Sequence, residues 1–137
     1  MDRFVRRFII MSIVYLGIST VMGIVMLGNQ GLPGLKFVHS HLNMLGWVSM
    51  MIYGVGYHIL PRFMGRPLYS PTLGEAQFWL ANLGLVFMLL FSVLNAYSPS
   101  AMYLALTVTA GVIEGVAILL FFYNMLMTLL PKLEQPH

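Results

Sequence analysis

The sequence predicts an all-α integral membrane protein, a four-helix up-down bundle in a single domain. Of its 137 residues, 59% are hydrophobic and only 8% are charged, whereas an ordinary soluble domain carries about 25% charged residues. The charged residues leave four long uncharged stretches, residues 8–35, 37–61, 76–113 and 115–131. A helix needs about 20 apolar residues to cross the hydrocarbon core, so the chain has room for four spans and little else.

Turn-forming residues mark where each span ends. The four predicted spans cover about residues 4–27, 38–60, 73–97 and 100–130. The first ends at a run of glycine, asparagine and proline around Pro33, and the second is expected to stop at Pro61. The fourth is expected to stop at Pro131. Because the connections are short, sequential helices are expected to be antiparallel neighbours.

The distribution of lysine and arginine predicts the orientation. Four alternating spans place most of these residues at the end of the bundle that holds both chain termini: Arg3, Arg6, Arg7, Arg62, Arg66 and Lys132. Lys36 alone falls at the opposite end. Since basic residues favour the cytoplasmic side, we expect both termini in the cytoplasm and the protein in the inner membrane.

The composition also excludes several classes of function. With no cysteine in the chain, disulfides, thiolate zinc sites, iron–sulfur clusters and covalently attached heme are excluded. A net charge of +3 would suggest a nucleic-acid partner in a soluble protein. Here the basic residues flank apolar runs and are typical of topology signals, so we expect membrane lipid and no nucleic acid around the chain.

Two histidines open the second span at its outer, periplasmic end. Polar residues at membrane depth are costly, so His39, His41 and Asn43 are candidates for function. Histidine is a natural ligand of heme iron, copper or zinc. On a continuous helix His39 and His41 lie about 200° apart and cannot both face one bundle interior. If residues 38–40 were non-helical, both could bind one copper ion; the remaining interpretation is two interfacial histidines.

Other candidate ligands are separated by depth. His58 lies about 25 Å from His41 along the same helix and cannot share its metal, so an interfacial role is favoured. His137 is the last residue of the sequence and is expected to be disordered. Met26 and Met44 lie near His41 in estimated depth, and either is a candidate second ligand of an iron.

Glu114 is the one carboxylate inside a span. Counted from the outer helix ends, it lies near the level of Tyr15, Tyr53 and Asn82 on the other helices, which together predict a polar layer. Two interpretations are open: a structural hydrogen bond to an amide or phenol, or a proton relay. In both we expect a protonated Glu114 at neutral pH, because an unpaired carboxylate is too costly at mid-bilayer.

The last span also carries Thr107, Gly111 and Gly115 at intervals of one helical turn. Such a face of small residues permits close approach of another helix, a second protomer or the flat surface of a macrocycle.

Several stretches resemble subunit I of the heme–copper oxidase superfamily. His41-Leu42-Asn43, followed by the glycine-rich residues 53–57, resembles its second helix and is most similar to the nitric oxide reductase branch. Residues 68–73, Leu-Tyr-Ser-Pro-Thr-Leu, and Phe78-Trp79 resemble the loop and third-helix start of that branch. The resemblance covers roughly residues 37–90.

The resemblance implies that His41 ligates a low-spin heme near the outer face. Subunit I has many more helices than the four predicted here. Its other axial histidine, its copper-ligating histidines and its high-spin heme ligand lie on those later helices. One half of a low-spin heme site is therefore implied, and oxygen or nitric oxide reduction by these residues alone is not.

Three functions follow from these residues. The favoured one is a b-type cytochrome, with noncovalent heme b held in the bundle by His41, that transfers electrons or senses a diatomic gas. The second is a heme-free accessory or assembly subunit of a respiratory complex. The third is a copper- or heme-handling protein that uses His39 and His41. The first is favoured because a bare docking helix has no need of His41 and Asn43 at that depth.

A low-spin heme needs two axial ligands, which bears on assembly. His39 and His41 lie on opposing faces of one helix and cannot hold the same iron, so the second ligand must come from Met26, Met44, water or another chain. A two-fold axis would present the same histidine twice. We therefore predict a homo-oligomer, most simply a dimer.

Overall fold

All regular elements in the described part of the chain are helices. The computed structural model describes residues 2–29 and 31–130. The regular elements are α1 (Arg3–Gly28), α2 (Leu35–His41), a π-helical segment (Leu42–Ser49), α3 (Met50–Phe63), α4 (Pro71–Tyr97) and α5 (Ala101–Leu129). Since α2, the π-helical segment and α3 follow one another without interruption, we call them together the second rod. The prediction of an all-α membrane bundle of four helices is confirmed.

Three of the helices, α1, α4 and α5, are each long and apolar enough to cross a membrane. Their outward surfaces are rich in large exposed apolar side chains, such as Ile24 on α1 and Leu119 on α5, 64% and 63% exposed. Such surfaces are stable against lipid, so the protein is a multi-pass membrane protein. Which side of the membrane holds the termini stays a prediction.

The second rod does not stop at Pro61, where the sequence predicts its end. The helix continues to Phe63 with Pro61 in its last turn. Proline lacks an N–H and so forfeits only one helical hydrogen bond there. The turn is closed by Gly65, whose φ of 61° is left-handed, and Gly65 N donates to the Arg62 carbonyl at 3.0 Å. Pro131 lies outside the described residues.

Serine caps begin the two helices that follow. The Ser70 hydroxyl accepts a hydrogen bond from Leu73 N, with Pro71 at the first helical position, and the Ser100 hydroxyl accepts one from Met102 N. Both contacts satisfy an N–H group that a helix start leaves free. They fix where α4 and α5 enter the bundle.

The second rod and α4 form the middle of the bundle. Among α1, the second rod, α4 and α5, the second rod and α4 each contact all of the other three. By contrast, α1 packs mainly along the second rod and α5 mainly along α4. An aromatic cluster fills the interior between them: Phe8, Tyr53, Tyr57, Phe78 and Phe121. Within it, the Phe8 and Phe78 rings meet edge to face with centroids 5.1 Å apart, a favourable aromatic geometry.

Helices α4 and α5 approach each other on a different face of α5 from that of Gly111 and Gly115. A Cβ on Gly84 would lie 2.8 Å from the backbone N of Glu114 and 3.2 Å from the Ala110 carbonyl oxygen. By contrast, a Cβ on Gly115 would have open space within 4 Å, and one on Gly111 would meet only Met88 Sδ at 3.6 Å. The tight seam between α4 and α5 is therefore Gly84 against Ala110 and Glu114, because a side chain on Gly84 would meet helix backbone. That the face of Thr107, Gly111 and Gly115 seats another protomer or a macrocycle stays a prediction.

This seam predicts that Gly84→Ala destabilises the protein. The added methyl must displace helix backbone, and overpacking of that kind costs about 1–3 kcal/mol. Gly115→Ala is the matched control, since it makes the same change in open space on the partner helix. Thermal melts in detergent compare the two, and equal melting temperatures would refute the seam.

Candidate functional site

The two histidines of the sequence analysis lie at the junction between α2 and the π-helical segment. In that segment Gly46 lies against Tyr15 of α1, where a Cβ would come within 2.9 Å of the tyrosine side chain. The Ser49 hydroxyl donates to the Met44 carbonyl at 2.8 Å. Stretches of π-helix are rare and often occur at functional sites, so the residues beside this segment are candidates for function.

His39 faces inward and ties the second rod to α1. Its Nδ1 lies 3.0 Å from the Ser19 carbonyl oxygen, which can only accept, so Nδ1 carries the proton. Its Nε2 lies 3.2 Å from Asn43 Nδ2, which can only donate. Gly23 leaves room for the ring, because a Cβ there would lie 3.2 Å from His39 Cε1, a tight contact. Both ring nitrogens of His39 are therefore engaged within the protein.

His41 lies on the other side of α2 and is half-buried. Its Nδ1 lies 2.8 Å from the Phe37 carbonyl oxygen, so Nδ1 donates there, and its ring stacks on the Phe37 ring with centroids 3.9 Å apart. Within residues 2–29 and 31–130, Nε2 has no hydrogen-bond partner. A ring N–H donated to a backbone carbonyl, with the other nitrogen free, is the arrangement that metal-ligating histidines adopt.

Exposed apolar side chains precede and follow His41 along the second rod. Phe37, Met44 and Trp47 have 37%, 61% and 36% of their surface exposed, and the Phe37 ring stacks on the His41 ring. Met26 lies elsewhere: with His39, Lys36 and Asn29 it lines a cavity of about 370 Å³ between α1 and α2. Of the two methionine candidates, Met44 is on the second rod, three residues after His41, and is the more exposed.

Binding of one copper ion by both histidines would require residues 38–40 to be non-helical. These residues are helical within α2, so His39 and His41 diverge instead of converging on one ion. Among the described residues, no group of three or more histidine, aspartate or glutamate side chains is placed to hold a metal ion.

His58 contacts the Arg62 side chain and lines a cavity of about 210 Å³ with Asp2. His137 and Lys132 lie outside the described residues.

Two of the four predicted polar-layer residues meet. The Tyr15 hydroxyl donates to Asn82 Oδ1 at 2.8 Å, and Asn82 Nδ2 donates to the Phe78 carbonyl at 2.8 Å. Tyr53 is buried, and Glu114 is only 2% exposed. Neither carboxyl oxygen of Glu114 has a hydrogen-bond partner in the part of the chain that the structure describes. The layer as a functional unit stays a prediction.

Sequence reasoning missed interior polar residues, among them Gln77, Ser19 and Asn124. Gln77 is fully buried and accepts a hydrogen bond from the Tyr57 hydroxyl at 2.7 Å, and Ser19 holds His39. Asn124 is fully buried and donates from Nδ2 to the Ser70 carbonyl at 2.8 Å. Their partners lie on other elements and give no local pattern.

Comparison with known proteins places these features in a family context. No family model matches the chain. Over 122 residues it is 30% identical to the Cbb3-type cytochrome c oxidase subunit CcoN1 of Stutzerimonas stutzeri, covering 81% of this chain and 26% of that protein. It is 36% identical over 89 residues to cytochrome c oxidase subunit 1 of Rhodobacter capsulatus, covering 60% and 16%. The Thermus thermophilus subunit 1 is 29% identical over 116 residues, covering 72% and 21%.

The chain resembles subunit I of the heme–copper oxidases. It spans about a quarter or less of the length of these relatives. All three are cytochrome c oxidase subunits, and the narrower resemblance to the nitric oxide reductase branch stays a prediction.

The contrast between the histidines predicts effects of different size on stability. His39→Ala removes the ring that bonds Ser19 and Asn43 inside the bundle, and the loss of these interhelical hydrogen bonds costs about 1–3 kcal/mol. His41→Ala removes a surface ring and is expected to change stability by about 0.5 kcal/mol or less. Thermal melts of heme-free protein in detergent measure both. Equal losses would contradict the assignment of His39 as the interhelical tie.

Proposed function

We propose that the chain supplies His41 as an axial ligand of a b-type heme in an electron-transferring membrane protein of the oxidase subunit I type. The observation that carries the proposal is the difference between the two histidines. His41 Nε2 has no partner among the described residues and lies beside the exposed Phe37 ring, whereas both nitrogens of His39 are bonded inside the bundle. The three cytochrome c oxidase relatives support a respiratory context.

The residues around His41 prepare it for this role. The Phe37 carbonyl fixes the tautomer that leaves Nε2 unprotonated, and it raises the basicity of the ring. The Phe37 ring, stacked on the imidazole, restricts its rotation. The exposed Phe37 ring offers an apolar contact for a flat macrocycle beside the His41 imidazole. A bound heme would supply one-electron redox chemistry.

The proposed heme lies on the outside of the four helices. The sequence predicts a heme inside the bundle. In the structure, His41 lies on the opposite side of α2 from the His39–Ser19 contact. One face of a heme bound to His41 would then be open to lipid or water. We infer that a second membrane chain covers this face and supplies the second axial ligand. That chain is either another copy of this protein or a subunit of a respiratory complex.

The ligand assignment predicts that His41→Ala abolishes heme retention. Heme is measured by the Soret band and the reduced alpha band of the detergent-purified protein. His58→Ala is the control and is expected to keep both bands, because His58 is about 25 Å away along the rod. An unchanged spectrum in His41→Ala would refute the proposal. A colourless wild-type protein would favour the heme-free accessory subunit instead.

Native mass spectrometry from mild detergent, with heme quantification, tests the assembly. One heme per two chains supports a ligand pair shared across a two-fold axis. One heme per chain in a dimer supports a complete site in each protomer that the partner covers. A monodisperse, heme-loaded monomer would contradict the covering chain.

A further inference from the structure

A groove runs along the outside of the bundle between α1 and α4, and we call it the α1–α4 groove. It forms because α1 packs mainly along the second rod and touches α4 only slightly. Its volume is about 450 Å³, and its walls are exposed apolar side chains, among them Ile10 of α1 and Trp79, Leu83 and Phe87 of α4. These walls face the membrane, so the groove takes up an apolar occupant in preference to water.

The polar side chains that line the α1–α4 groove are already satisfied. The Tyr15 hydroxyl donates to Asn82 Oδ1 at 2.8 Å, and Asn82 Nδ2 donates to the Phe78 carbonyl at 2.8 Å. Because these groups bond one another, an occupant at that depth needs no donor or acceptor of its own. The middle of the groove therefore suits a hydrocarbon chain better than a polar group.

Arg7 lines one end of the groove and is held in place there. Its guanidinium forms a salt bridge with Glu75 at the start of α4. The guanidinium carbon also lies 6.0 Å from the centre of the Phe78 ring and 5.9 Å from the centre of the Trp79 ring, within the range of a cation–π contact. One end of the apolar groove thus carries a fixed cation.

Arg3 adds a second cation at the same end. It is exposed and lies one helical turn before Arg7, which places both residues on one face of α1. In the part of the chain that the structure describes, the Arg7–Glu75 contact is the only salt bridge. Arg3 has no acidic partner there, so this end of the groove has an excess of positive charge. Basic residues next to a membrane span attract anionic lipids.

The length of the groove matches one leaflet of a bilayer. From Arg7 to Tyr15 on α1, and from Trp79 to Phe87 on α4, the rise is about 12 Å. One leaflet contributes about 15 Å of hydrocarbon, half of the bilayer core. Since arginine is costly deep in the membrane, the Arg7 end lies at the level of the lipid headgroups. The groove then extends from the headgroups through most of one leaflet.

We propose that the α1–α4 groove binds an anionic phospholipid. Its phosphate contacts Arg3 and Arg7, and one acyl chain lies in the groove against Trp79, Leu83 and Val86. Charge at one end, an apolar wall one leaflet long and polar groups that need no partner together select this occupant. The site is independent of His41, so it stands or falls separately from the heme proposal.

Tryptophan fluorescence of the full chain in lipid vesicles tests the site. The chain contains two tryptophans, and Trp47→Phe leaves Trp79 in the groove as the single emitter. The vesicles are phosphatidylcholine with a small fraction of phosphatidylglycerol whose acyl chains carry bromine, which quenches a tryptophan that it touches. The reference is the same protein with the same fraction of brominated phosphatidylcholine, so quenching by any bound heme cancels. We expect brominated phosphatidylglycerol to quench about fivefold more effectively, the selectivity of one net positive charge beside the membrane.

Two matched pairs of variants, made in the Trp47→Phe protein, locate the lipid. Arg3→Gln is expected to abolish the preference for phosphatidylglycerol, whereas Arg6→Gln, about 100° around α1 from Arg7, is expected to keep it. Val86→Phe fills the groove and is expected to lower quenching of Trp79 by brominated phosphatidylglycerol about fivefold. Val112→Phe makes the same change on the exposed surface of α5 and is expected to leave quenching unchanged.

Three results would overturn the site. Equal quenching by the two brominated lipids would show that the groove does not select an anionic headgroup. Equal losses in Arg3→Gln and Arg6→Gln would show a general attraction of the basic helix start for anionic lipid. Protection of Trp79 from both lipids would show that protein, either a second copy or another segment, covers the groove instead.

Discussion

Polar groups between the two ends of this bundle have to be satisfied within the protein, because lipid offers neither donors nor acceptors. Several hydroxyls meet the demand locally by bonding a carbonyl of their own helix: Ser12, Thr20, Ser92, Thr107 and Thr109. Other polar side chains meet it between helices, as in the His39–Ser19 and Tyr15–Asn82 contacts. Against this background, the groups without a partner in the described part of the chain are conspicuous: His41 Nε2, Gln77 Nε2 and the carboxyl of Glu114.

Glycines bring the helices close enough for these polar contacts. Gly23 makes room for the His39 ring, and Gly46 lets the π-helical segment rest on Tyr15, which bonds Asn82. Gly84 brings α4 against the backbone of α5 at Glu114. In each case the glycine leaves room for a contact between two helices. The interior is thus organised by where backbone can approach backbone as well as by apolar burial.

Composition and turn residues were enough to predict the number of helices and their approximate ends, because the bilayer requires long uncharged stretches. They could not predict the π-helical segment or the passage of the helix through Pro61. The first depends on Gly46 meeting Tyr15 on another helix, and the second on a glycine cap four residues later. Angular spacing predicted that His39 and His41 diverge. Which of them stays free depends on Ser19, which no local pattern connects to them.

His41 and Glu114 differ in their surroundings. His41 lies on an outer surface, so the proposed heme site there requires a body that the four described helices do not contain. Glu114 lies inside, where Gly84 of α4 packs on the backbone of α5. The inner side of the second rod rests on Tyr15, while its outer side carries His41. The interior packing that encloses Glu114 therefore also sets the orientation in which His41 meets its partner.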